Sequence, residues 1–93
     1  MRRLFLFVYS DALGTRDQIK QAVESNQYVL TWRYDLPHCF YLVAEVSART
    51  LAESIKQALP NGYFVISRAD DDFWGWNYPE TWHLFENKYL KED

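Results

Sequence analysis

The residue best placed to do chemistry is Asp11, which follows the run Leu4-Phe5-Leu6-Phe7-Val8-Tyr9-Ser10. Such a short apolar run reads as a strand buried on both faces, and open sheets often place their sites at the carboxyl ends of strands. A hard divalent cation needs several oxygen ligands, so Asp11 serves one best if a two-fold partner brings a second carboxylate. The alternative role for Asp11 is a turn residue that accepts from nearby backbone N–H groups. Asp70-Asp71-Asp72 is the densest negative charge. It lacks the spaced ligands and the glycine of a calcium-binding loop and reads as a solvated loop.

Arginines and aromatics form the next candidates. Arg2, Arg3 and Arg68 meet if the first and last strands pair antiparallel, and clustered guanidinium groups contact phosphate. Phe5, Phe7, Tyr9, Trp32, Phe40 and Phe64 supply rings to a sheet. An open face of that kind stacks single-stranded bases. A formal net charge of −3 and a sequence pI near 5.3 argue against nucleic acid. A protein interface, or the C-terminal tail as cover, suits these rings better. Trp74, Trp76 and Trp82 are packing anchors or, in a functional reading, interface hot spots. His38, His83 and Cys39 do not have the spacing of a zinc site. The sequence has no phosphate-cradling glycine loop, nucleophile elbow or triad signature.

The elements that must position these residues follow from periodicity. Thr15-Arg16-Asp17-Gln18 is a capping box that opens a helix over 16–25, with Ile19, Ala22 and Val23 on its apolar side. Residues 28–34 read as an edge strand, because Thr31 and Arg33 interleave with apolar positions. Pro37 sets a turn, and 39–46 forms a second strand that is apolar on both faces. A helix follows, capped by Ser47 or Thr50; Thr50-Leu51-Ala52-Glu53 fits the capping box better. Pro60-Asn61-Gly62 stops it, 63–68 is the fourth strand, and Pro79 begins a last helix reaching about Leu90.

This order predicts one α+β domain over 1–93, a ferredoxin-like βαββαβ sandwich with strand order 4-1-3-2 and a tail over 73–93. The first and third strands, apolar on both faces, belong at its centre. Ninety-three residues bury a modest core, which favours oligomerisation. The single cysteine excludes an intrachain disulfide and points to a reducing cytoplasm. Met1-Arg2-Arg3 followed by apolar residues mimics a signal peptide, but the apolar stretch is too short.

Four stretches carry a family resemblance: Tyr9-Ser10-Asp11 with Gly14-Thr15-Arg16-Asp17; the Trp32-containing strand pair; Val46-Ser47-Ala48; and Phe64 to Arg68 with Phe73-Trp74-Gly75-Trp76 and Trp82. On these the chain resembles the SinR-like proteins, relatives of the small CRISPR-associated nuclease-like family and of VapD-type toxins. The resemblance implies a homodimer packed through sheet faces and edges. It also implies that Asp11, one from each protomer, would hold Mg²⁺ or Mn²⁺ as the catalytic centre of an RNA or DNA nuclease. Because no catalytic group is assembled in the sequence, the leading expectation is a non-enzymatic homodimeric module. It would need no cofactor and would bind another macromolecule, in a toxin–antitoxin or defence setting that the resemblance suggests. The nuclease is the alternative, and single-stranded RNA binding on the sheet is the third reading.

Overall fold

The computed structural model describes residues 1–90, so the last three positions of the expected 73–93 tail lie outside the described residues. Strand β1 spans Arg3–Tyr9, helix α1 Arg16–Ser25, β2 Thr31–Leu36, β3 Cys39–Ala44, α2 Ala48–Ala58, β4 Phe64–Arg68 and α3 Pro79–Asn87. A single 3-10 turn, Asp11–Leu13, links β1 to α1. The four strands form one antiparallel sheet in the order β2-β3-β1-β4. The two strands that are apolar on both faces occupy its centre.

Alternation along β1 divides the core in two. Phe5, Phe7 and Tyr9 point to the face covered by α1 and α2, where they join Phe40, Leu42, Ile19, Val23, Leu51 and Ile55. Leu4 points to the opposite face, with Tyr41 and Val43 of β3, and this face is covered by Leu84 and Phe85 of α3. The C-terminal segment therefore packs on its own sheet. Leu6 is only partly buried there and Val8 is exposed, because α3 lies over the other end of the face.

Local signals explain most boundaries. Thr15 caps α1 through a complete capping box: its hydroxyl accepts from Gln18 N–H at 3.2 Å and the Gln18 side chain accepts from Thr15 N–H at 2.9 Å. Pro79 stands in the first turn of α3, where a missing N–H costs nothing.

Several boundaries differ from expectation for identifiable reasons. β2 begins at Thr31 rather than Tyr28, because the Asn26 side chain captures the Tyr28 N–H at 2.8 Å and turns the chain. β3 ends at Ala44 rather than Val46, because its partner β1 begins at Arg3, opposite Ala44. Ser47, not Thr50, caps α2; its hydroxyl accepts from Thr50 N–H at 3.1 Å. The helix thus gains the extra turn that left Thr50 at N3. α3 stops at Asn87 rather than near Leu90, because Lys88 adopts a left-handed conformation and its N–H closes onto the Leu84 carbonyl. No helix among the described residues is long and apolar enough to cross a membrane.

Candidate functional site

Two places bring together the residues singled out above. The first is the carboxyl end of β1. Here Asp11 opens the 3-10 turn with its side chain 92% exposed, and its Oδ1 pairs with His38 Nε2. His38 sits in the tight β2–β3 turn at φ 59°, a left-handed conformation that histidine tolerates better than most residues. Its carbonyl accepts from Tyr9 N–H at 3.1 Å, which ties this turn to the end of β1. The Tyr9 ring lies 5.4 Å from the imidazole.

Ser10 is held by a reciprocal pair of bonds with Tyr63: its N–H donates to the Tyr63 carbonyl at 2.9 Å and its hydroxyl accepts from Tyr63 N–H at 3.1 Å. Gly62 makes the neighbouring approach possible. Its φ is +81°, and a Cβ there would meet Leu13 N at 2.5 Å. Burial, reinforced by the Tyr34 hydroxyl, pushes the Tyr9 phenol up to about 12, so it stays protonated at neutral pH.

This end of the sheet therefore presents an acid–imidazole pair to solvent, with Arg16 stacked 5.4 Å over the nearby Tyr34 ring. An Asp–His pair fixes the orientation of an imidazole and can supply two metal donors. No group of three or more His, Cys, Asp or Glu that could hold a metal occurs among the described residues. In sequence, His38 stands next to the turn-setting Pro37 and has no zinc-site spacing. Its meeting with Asp11 spans 27 positions of sequence and depends on the hairpin's left-handed turn, which no local pattern announces.

The second place is the face bearing α3. Trp82 stacks between Phe73 and Trp74, with ring centroids at 6.0 and 6.2 Å. Trp74 nevertheless remains 86% exposed and Trp76 90%. Their loop borders a groove of about 390 Å³ whose lining includes Leu6, Cys39 and Tyr41 of the sheet. Leu36, Val8 and Val65 extend the exposed apolar surface across the sheet. Burial raises the Cys39 thiol to about 11, with Asp35 adding to the effect, so this cysteine is a protonated, unreactive part of the surface.

A polar network beneath the loop fixes its course. The Asp35 side chain is only 4% exposed. It accepts from Arg33 Nε at 3.2 Å, from Asn77 Nδ2 at 3.3 Å and from the Thr81 hydroxyl. Asn77 also donates to the Tyr41 hydroxyl at 2.9 Å. Burial, together with Asp35, moves the Tyr41 pKa well above its ordinary value. The network joins β2, β3, the aromatic loop and α3. In sequence, Asp35 looks like one more turn residue before a proline.

Other expected site residues fall elsewhere. Phe5, Phe7 and Tyr9 were expected at an interface, but they are buried under α1 and α2, beyond reach of a partner or of stacked bases. Phe40 is buried there too, and Phe64 packs against the same core. Trp32 is half-buried, with its ring 5.6 Å from Phe40. The arginines are engaged separately. Arg2 lies over the Tyr89 ring at 4.0 Å and donates to the Lys88 carbonyl, and Arg3 is partly buried. Arg68 is paired with Asp70 at 2.5 Å and with Asp71 at 2.9 Å.

Asp70 itself departs from the solvated-loop reading: its side chain is 6% exposed and accepts from Leu4 N–H at 3.3 Å. Burial alone would raise its pKa, but the Arg68 guanidinium and the Leu4 N–H together hold it below the ordinary value. Comparison with family models, with curated proteins and with solved structures finds no match to this chain.

Proposed function

We propose that this protein is a non-catalytic, homodimeric module that binds another macromolecule through the aromatic face carrying Trp74 and Trp76. The observation that carries the reading is the exposure of these two rings, 86% and 90%, on a loop anchored from below by Trp82 and by the Asp35 network. Ordering tryptophans in solvent exposes a large apolar area, and tryptophan is the residue most enriched at energetically dominant interface positions. The groove beside them is walled by Leu6, Cys39 and Tyr41 of the sheet on one side and by the aromatic loop itself on the other.

The layout is read as ferredoxin-like. In its support, α1 and α2 lie on one face and connect strands that are not neighbours in the sheet. The resemblance to SinR-like proteins agrees with a dimer and suggests a toxin–antitoxin or defence setting.

The test is a paired capture experiment with the wild-type chain and a Trp74→Ser/Trp76→Ser variant of verified circular dichroism. A macromolecule retained by the first and lost by the second, then shown by titration of purified components to bind at least ~10-fold more weakly to the variant, is the expected result. Equal affinity for both chains rejects the face as the binding site.

The pairing of Asp11 with His38 on an exposed sheet end favours a second reading, a nuclease dependent on Mg²⁺ or Mn²⁺ and completed by a second protomer. Cleavage of labelled RNA or DNA that requires the metal and disappears in Asp11→Asn would establish it. Cleavage indifferent to that substitution would end it.

A further inference from the structure

Between β4 and α3 the chain has no regular structure, yet its burial alternates residue by residue from Asp72 to Tyr78. A period of two belongs to an extended backbone, which sends successive side chains to opposite sides. The inward row is fixed. Phe73 stacks on Trp82, Gly75 lies against the same indole, where a Cβ would stand 3.8 Å from Cη2, and Asn77 bonds Asp35 and Tyr41. The outward row is Asp72, Trp74, Trp76 and Tyr78, all exposed.

Charge around this row is unbalanced. Of the three consecutive aspartates, Asp70 and Asp71 share the Arg68 guanidinium. No cation pairs with Asp72 among the described residues. Asp72 also lines the groove beside the tryptophans, and no lysine, arginine or histidine lines it with Asp72 among the described residues. The two indoles are equally uncommitted. Cations of this chain lie over the rings of Trp32, Tyr34, Tyr78 and Tyr89, and none lies over Trp74 or Trp76 among the described residues. Trp74 gives one face to Trp82 and leaves the other to solvent.

We infer that the row Asp72-Trp74-Trp76 binds an arginine side chain of a partner protein, its guanidinium stacked on an outward indole and paired with the Asp72 carboxylate. The inference rests on the aromatic face proposed above as the binding surface and names the chemistry of the segment it takes. Other occupants fit less well. A phosphate-bearing strand would meet an unpaired carboxylate and no cation. A wholly apolar segment would strip water from Asp72 without supplying a counter-charge. A lysine ammonium is compact and strongly hydrated, whereas a guanidinium is flat and weakly hydrated. It lays its face on a ring and keeps N–H groups at its edge for a carboxylate. Outward neighbours on an extended chain stand about 7 Å apart, so one guanidinium on Trp74 also reaches Asp72. Apolar neighbours of that arginine then meet Leu6, Cys39 and Tyr41 in the groove.

The test uses a library of random heptapeptides displayed on phage. It is panned on the full chain after depletion on Trp74→Ser/Trp76→Ser. The strongest peptide recovered is synthesised with its arginine intact, with citrulline, which has nearly the same shape and no charge, and with lysine. Each is titrated calorimetrically into wild type and into Asp72→Asn, an exposed substitution checked by circular dichroism.

The recovered peptides should carry an arginine flanked by apolar residues. Citrulline should weaken binding ~10-fold or more and lysine several-fold. Asp72→Asn should weaken the arginine peptide ~5-fold or more and leave the citrulline peptide nearly unchanged, the mark of a direct pairing. Peptides without arginine, equal affinity for citrulline, or an equal loss for both peptides in Asp72→Asn would overturn the arginine and leave the aromatic face standing. Recovery of no peptide that depends on the two tryptophans would also overturn it. The face itself is decided separately, by the capture experiment above.

Discussion

Asp70 continues a sheet with a side chain. β1 begins at Arg3 and β4 ends at Arg68, yet the Leu4 N–H still finds an acceptor, because the Asp70 carboxylate stands where a further strand carbonyl would be. The same carboxylate holds Arg68. Asp70→Ala should therefore cost about 2 kcal/mol in urea denaturation, the range for hydrogen bonds to a charged group at a half-screened site. The sign of its pH dependence is fixed. The folded pKa lies below the ordinary aspartate value, so the stabilisation is complete above about pH 4 and fades as pH falls through the lowered value. Wild-type stability should drop more steeply than that of Asp70→Ala on acidification below pH 4. Parallel curves would show that the carboxylate is not stabilised by folding. Asp11 lies at the opposite extreme, so exposed that its substitution should leave the fold intact.

At the scale of elements, legibility in the sequence tracked the range of the interactions. The Thr15–Gln18 box, the stop after Leu59 and Pro79 at the start of α3 are contacts within a few residues, and each was readable. The cap of α2 was harder. Ser47 and Thr50 are both plausible caps, and the choice depends on where β3 releases the chain, which β1 decides by beginning at Arg3, opposite Ala44. Ser47→Ala should cost about 1 kcal/mol, whereas Thr50→Ala, which leaves the cap hydroxyl in place, should cost a few tenths. Thermal or denaturant midpoints of the two variants separate these outcomes, and the reverse order would return the cap to Thr50.

The long-range pairings of the two candidate places, Asp11 with His38 and Asp35 with Thr81, lay beyond such reading. Each joins residues 27 or 46 positions apart, through a left-handed turn in one case and a packed tail in the other. The aromatics expected at an interface divided on the same principle. Alternation told which rings share a face of the strand, but not which face the helices would cover. Phe5 and Phe7 went inside while Trp74 and Trp76 stayed out.

On the whole-molecule scale the sheet serves as a shared wall between two unequal cores. The larger lies under α1 and α2, and the smaller depends on α3 alone. Leu84 is fully buried in the smaller core. Leu84→Ala should destabilise the chain by about 2–5 kcal/mol. If α3 loosens before the rest, the variant should bind a hydrophobic dye below its main unfolding transition, as the buried Tyr41, Leu4 and Val43 become accessible. A single cooperative transition without dye binding would instead make both cores one unit.

The arrangement also has a consequence in time. All four strands are synthesised before residue 69, but the cover for half of the central sheet arrives only with Leu84 and Phe85. During translation, at roughly 5–20 residues per second, the sheet can form with one apolar face bare and the edge of β4 open beside it. The last helix is thus the step that ends the nascent chain's exposure to aggregation, and slowing its delivery lengthens the interval in which two unfinished copies can meet.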